Sequence, residues 1–128
     1  MIVAGLGFRR GVQPAEVERA LDHALRSLGP NAPLVGCLAV PARKAEEPAP
    51  SLVAKMRGIR LRLIPQDALE AAAAKAVSRS IHALQAMNVP SVAEAAALAG
   101  AGHRARLLVP KVVEGSVTCA LAEGEGTA

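Results

Sequence analysis

The stretch Met1-Ile2-Val3-Ala4-Gly5-Leu6-Gly7-Phe8-Arg9-Arg10-Gly11 decides how the chain reads. An apolar run over residues 2–6 predicts a buried strand that opens the domain. It breaks into a glycine turn carrying two arginines, and a helical pattern follows. Pro14 suits the first turn of that helix. Val17, Leu21, Ala24, Leu25 and Leu28 then share one face, with Glu16, Glu18, Asp22 and Arg26 largely off it. Gly29-Pro30 stops the helix. A turn rich in free N–H groups and guanidinium forks suits carboxylates or phosphates.

Further along, residues 34–40 form a second short apolar run, expected as a parallel strand after the crossover. A loop with three prolines and blocks of charge follows over residues 41–50. Loops at the end of a strand in an open α/β sheet often carry ligand contacts. Residues 51–56 predict a short helix ended by Gly58, and residues 59–64 alternate as a third, edge strand. Asp67 is placed to cap an Ala-rich helix over 68–77. Residues 78–89 are ambiguous, helical by pattern but ended by Pro90. Residues 91–100 predict a compact Ala-rich helix. Residues 104–109 and 117–121 predict closing strands, and Gly115 signals a turn within residues 111–116 between them. The expected fold is α/β, a three-layer α/β/α domain on a mixed, mostly parallel sheet of about five strands. Residues 1–122 form one domain, and residues 123–128 read as a flexible tail.

Composition narrows the function. The chain has 128 residues, 52% of them hydrophobic, and Phe8 is its sole aromatic. The core must therefore be made of small aliphatic side chains. The net charge is 15 − 11 = +4 and the pI about 9.7, which favours anionic partners. Without Trp or Tyr to stack bases, single-stranded nucleic acid is disfavoured. Cys37 and Cys119 stand in apolar runs outside any CxxC pair and read as buried, reduced thiols. No signal peptide or membrane-length apolar run is evident, so a soluble, cytoplasmic protein without membrane partners is expected.

Few residues carry a chemical signal. The spacing Gly5-x-Gly7 with Gly11 misses the dinucleotide fingerprint, because position 10 is Arg. It is either a backbone cradle with Arg9 and Arg10 supplying charge, or a tight turn with solvated arginines. Lys44 and Glu47 could position a carboxylate and a water, or pair with each other at the surface. Ser91 and Glu94 have the spacing of a capping box. Alternatively, Glu94 is a ligand-contacting carboxylate or general base, although the helix dipole would make it a poorer one. Lys55, Arg57, Arg60 and Arg62 are an edge-strand guard or a binding patch. His23, His82 and His103 lack metal-ligand spacing, so neither a metal nor a cofactor is expected.

Several of these segments, in order, resemble one family: the C-terminal domain of the cobalamin-biosynthesis protein CbiG and its stand-alone relative CobE. The resemblance rests on residues 3–11, on Leu38-Ala39 followed by Lys44 and Glu47, and on Ser91-Val92-Ala93-Glu94-Ala95-Ala96-Ala97-Leu98-Ala99 with Gly102. It also includes Leu107-Leu108-Val109 with Lys111, and Val117-Thr118-Cys119-Ala120. Phe8 stands where many members have Cys. The resemblance implies an α/β/α domain of the stand-alone, aerobic-pathway type that binds or acts on a precorrin or corrin intermediate, alongside other pathway enzymes. Such pigments carry many acetate and propionate arms, which a basic protein suits. The expected ligand-binding set is Gly5, Gly7, Arg9, Arg10, Lys44, Ser91, Lys111 and Thr118. The expected role is that of an accessory binder or carrier. The alternatives are a hydrolase opening a ring-contraction lactone through Glu47 or Glu94, and a nucleic-acid or protein-binding module using residues 55–62.

Overall fold

The computed structural model describes residues 1–30, 34–79 and 91–126. One five-stranded sheet has the order β3-β2-β1-β5-β4. Its strands are β1 (Ile2–Phe8), β2 (Val35–Pro41), β3 (Arg60–Ile64), β4 (Arg106–Glu114) and β5 (Val117–Glu123). The pairs β1–β2 and β2–β3 are parallel, and β1–β5 and β5–β4 are antiparallel. Only β5 therefore runs against the others, which gives the mixed, mostly parallel sheet expected.

The helices are α1 (Pro14–Leu28), α2 (Pro48–Arg57), α3 (Gln66–Arg79) and α4 (Val92–Ala101). They divide between the two faces of the sheet. Leu6, Leu38, Val40 and Leu121 point to the α1–α2 side, against Val17, Leu21 and Val53. Val3, Cys37, Ala39, Ala120 and Ala122 point to the other side, against α3 and α4. Alternation along each strand supplies both faces. Because both faces are covered, β2 is an almost continuous apolar run.

The two interfaces use different physics. The α1–α2 face is filled with Leu and Val, and each fully buried Leu contributes about 2 kcal/mol. The α4 face is made of alanine and glycine, so helix and sheet backbones come close. A Cβ built on Gly5 would lie 2.0 Å from the carbonyl oxygen of Ala93 and 2.4 Å from the amide nitrogen of Ala97. One on Gly100 would lie 2.9 Å from Val3 Cγ1 and 3.0 Å from Ala39 Cβ. These contacts run α4 antiparallel to β1, with the helix start over the strand's carboxyl end.

Several boundaries differ from the sequence reading. Strand β1 extends to Phe8 because β5 pairs with it from Ile2↔Glu123 to Phe8↔Val117, whereas pairing with β2 ends at Gly5↔Ala39. Helix α3 starts at Gln66, with the Pro65 carbonyl accepting from Leu69 N. Asp67 thus lies in the first turn, where its carboxylate accepts from Ala68 N at 2.9 Å and faces the positive helix end. Strand β4 runs past residue 109 to Glu114, with register shifts on either side of Val109, and its Pro110 is accommodated on a sheet edge. Glu123 belongs to β5, and Gly124 N donates to Met1 O while Gly126 N donates to Ala101 O. The ambiguous stretch 78–89 lies outside the described residues from position 80 onward.

The close helix–sheet approach leaves no space at Gly5. Gly5→Ala is expected to destabilise the fold by about 3 kcal/mol or more, since backbone on both sides must move. Gly36→Ala meets the flexible Met1 side chain at 3.4 Å and the Ile2 carbonyl oxygen at 3.9 Å, ordinary contact distances, and should change stability by less than about 1 kcal/mol. Urea unfolding of both variants checks the contrast.

Candidate functional site

Beyond Gly5, β1 loses β2 as a neighbour, and the two strand ends separate. A cleft of about 320 Å³ opens there, at the carboxyl edge of β1 and β2. Open α/β sheets bind ligands at this kind of edge, where the chain leaves neighbouring strands in different directions. From β1 the chain crosses to β2 and β3. It then returns past the opposite face to place β4 and β5 on the other side of β1.

Gly7, Phe8 and Arg9 enter the cleft from β1, and Pro41, Arg43 and Lys44 enter from the end of β2. Val92 at the start of α4 and Ser116 and Thr118 of the β4–β5 hairpin complete it. Gly7 keeps the floor open, since a Cβ there would lie 2.6 Å from Thr118 Oγ1. The Thr118 hydroxyl donates to Gly7 O at 3.4 Å. Lys44 Nζ sits 5.8 Å from the centre of the Phe8 ring, a cation–π contact. That contact follows directly from Phe at position 8.

Charge distinguishes this cleft. It contains Arg9, Arg43 and Lys44 and, among the described residues, no acidic side chain. Arg43 Nη1 donates to the neutral Gln66 amide at 2.8 Å. Within the described residues, none of the three forms an ion pair. A larger hollow of about 570 Å³ lies between α3, α4 and β4, lined chiefly by Ala and Leu. Its arginines form surface ion pairs, Arg104 with Glu125 at 3.4 Å and Arg106 with Glu123. Lys75 and His103 also line it, beside the apolar Ala and Leu side chains.

The carboxylates around the cleft hold its walls together. Gly11 N donates to both oxygens of Glu47, at 3.2 and 3.1 Å. This joins the β1–α1 turn to the start of α2, where Glu47 is the N-cap. Gly11 itself has φ +81°, a conformation glycine adopts without steric cost. Glu94 accepts from Ser91 N at 2.8 Å, and Ser91 Oγ accepts from Glu94 N at 3.1 Å. The capping box is thus formed. The second oxygen of Glu94 accepts from Lys111 N at 3.4 Å and ties α4 to β4. Glu16 accepts the Ser116 hydroxyl at 2.6 Å, fixing the hairpin against α1. That hydroxyl is the chief cause holding the Glu16 carboxyl below its ordinary value.

Of the residues singled out in the sequence, Gly7, Arg9, Lys44 and Thr118 line one cleft. Ser91, Glu94 and Glu47 are the fixings just described. Gly5 is a correction: it lies beneath α4, so its missing Cβ admits a helix rather than a ligand. Arg10 is exposed in the turn outside the cleft, and Lys111 meets Glu94 through its backbone. Arg43, Phe8, Val92 and Ser116 were not among the expected binding residues. The charged loop after β2 was the available signal for Arg43. The cluster at 55–62 does not form one patch. Arg57 is clamped by Glu18 at 3.0 and 2.7 Å and by Asp22 at 2.8 Å, which raises its pKa further. Arg62 donates to Gly100 O, and Arg60 stands on the edge strand. Cys37 and Cys119 are buried and unpaired, and burial pushes the Cys119 thiol up to about 12. No group of potential metal ligands occurs among the described residues. No helix among them is long and apolar enough to cross a membrane.

Fold and site together define an open α/β/α domain with a cationic crevice at the carboxyl edge of a mixed sheet. The chain belongs to the family described as Cobalamin synthesis G C-terminus, which matches residues 2–122. It is 33% identical over 121 residues to the protein CobE of a Sinorhizobium species, covering 94% of this chain and 79% of that protein. Among solved structures it is similar to cobalamin biosynthesis protein chiG from Agrobacterium tumefaciens, at 37% identity and TM-score 0.79, covering 98% of this chain and 99% of that one. It is also similar to CobE, a protein from the cobalamin (vitamin B12) biosynthetic pathway, at 31% identity and TM-score 0.78. That match covers 95% of this chain and 92% of that one.

The Glu16–Ser116 bond has a pH signature. A carboxyl with a lowered folded-state pKa contributes stability above its unfolded value, here 4.5, and loses it as pH falls through the folded value. Urea midpoints of the wild type and Glu16→Gln, measured from about pH 6 to about pH 3, should differ most at the upper end and converge at the lower. A difference that grows towards acid would contradict the assignment.

Proposed function

We propose that this domain binds an anionic precorrin or corrin intermediate of cobalamin biosynthesis at the β1–β2 cleft, as an accessory or carrier protein. One observation carries the reading: Arg9, Arg43 and Lys44 gather in a cleft where, among the described residues, no carboxylate neutralises them. Family membership supplies the ligand class, since such pigments present acetate and propionate arms. Guanidinium and carboxylate form charge-assisted, often bidentate hydrogen bonds. The Phe8 ring offers an apolar contact beside those charges. Other enzymes of the pathway would deliver the pigment and receive it.

A second reading is a hydrolase that opens a lactone on the macrocycle. It needs a carboxylate able to take a proton from water. Glu47 and Glu94 both accept backbone N–H groups instead, and this commitment favours binding over turnover. The basic module proposed for residues 55–62 is weakened in the same way by the pairing of Arg57.

The test is a titration with hydrogenobyrinic acid, followed by visible spectra and by mass spectrometry of the recovered pigment. Saturable binding with unchanged pigment mass is expected. Arg9→Ala should weaken it about tenfold, corresponding to one charge-assisted contact. Equal binding by a folded Arg9→Ala variant would count against the cleft. Applied to precorrin substrates, recovery of a hydrated product would establish the hydrolase reading in its place.

A further inference from the structure

We infer that the cleft grips its pigment by one edge, taking carboxylate arms inside and leaving the macrocycle in solvent. The inference rests on the binding reading above and adds how the ligand sits.

The first observation is size. Pockets that bury most of a drug-sized ligand run from about 300 to 1,000 Å³. At about 320 Å³ this cleft is at the lower limit, while a corrin polycarboxylate exceeds an ordinary drug molecule. The floor cannot deepen to admit more. Thr118 Oγ1 would lie 2.6 Å from a Cβ on Gly7, and α4 is packed against Gly5 beneath. The walls are fixed as well, by Glu47 on Gly11 and by Glu16 on Ser116.

The second observation is the arrangement of the cations. Arg9 comes from the end of β1, and Arg43 and Lys44 come from the turn after β2. Positive charge thus flanks the opening on both strand ends. Phe8 precedes Arg9 at the end of β1 and also lines the cleft, with Lys44 Nζ 5.8 Å from its ring centre. Neighbouring acidic arms on one rim of a macrocycle can meet both sides, and the apolar edge joining those arms can meet Phe8. A flat ring buried whole would instead need two broad apolar walls. The larger apolar hollow lies on the α3–α4–β4 side and shares no lining residue with the cleft.

A pigment held in this way keeps its far rim accessible, so a second protein can engage it before the first lets go. The metal-free corrin hydrogenobyrinic acid is the probe, with its fluorescence quenched by neutral acrylamide in the free and protein-bound states. An edge-held ring should show a quenching constant less than about threefold below that of free pigment. A ring buried to the 70–90% usual for pocket ligands would lower the constant more, by roughly fivefold. A fall of threefold or more, with saturable binding intact, overturns the edge-on arrangement and leaves the binding reading standing. Absence of saturable binding overturns both. Arg43→Ala provides a second readout: its contact with Gln66 is exposed, so the variant should fold while binding about tenfold more weakly. Unchanged affinity in that variant would remove the two-sided grip.

Discussion

The approach of α4 to β1 is the constraint on which the architecture depends. Gly5 has no side chain to hold the helix away, and Ala93, Ala97 and Gly100 supply the matching small surface. Larger side chains here would bury more area per residue but would lift the helix from the sheet. Close packing of small groups regains dispersion contacts that alanine lacks individually. It also fixes position along the strand. With α4 seated on Gly5, Val92 arrives beside Gly7, and the floor of the cleft follows from that placement.

Electrostatic organisation follows the same frame. Glu16, Glu47 and Glu94 each join segments that are distant in the chain or meet at a helix start, and each accepts hydrogen bonds from backbone or hydroxyl donors. On the opposite side of the chain's charge balance, Arg57, Arg104 and Arg106 are paired with carboxylates. What remains at the β1–β2 edge is positive. An arriving anion there need not displace a resident carboxylate ion pair, and its own desolvation is offset by guanidinium and ammonium groups. The net charge of +4 thus has a local expression in the cleft.

Much of the fold was legible because local signals agreed with tertiary ones. The apolar face of α1, the glycine stop at Gly58, the hairpin at Gly115 and the Ser91–Glu94 box all have causes within a few residues. The closing strands were legible from their own apolar runs over residues 104–109 and 117–121, and the ordered family resemblance agreed with them. Gly5 was misread because a strand glycine permits close approach by either a ligand or another backbone, and nothing nearby in sequence chooses between them. The contacts of Glu47 with Gly11 and Glu16 with Ser116 span 36 and 100 positions. Such pairs leave no periodic trace. Arg43 needed the short 3₁₀ turn at Ala42–Lys44 to place it in the cleft beside Lys44.

The most direct test of the account is to locate the ligand on the protein by backbone amide chemical shifts during titration with hydrogenobyrinic acid. The account predicts saturable changes concentrated at Gly7, Arg9, Lys44, Val92 and Thr118, around the carboxyl edge of β1 and β2. Changes concentrated instead at Leu98, Ala99 and Leu107, along the α4–β4 hollow, would contradict it and place recognition on apolar surface rather than on the cationic cleft.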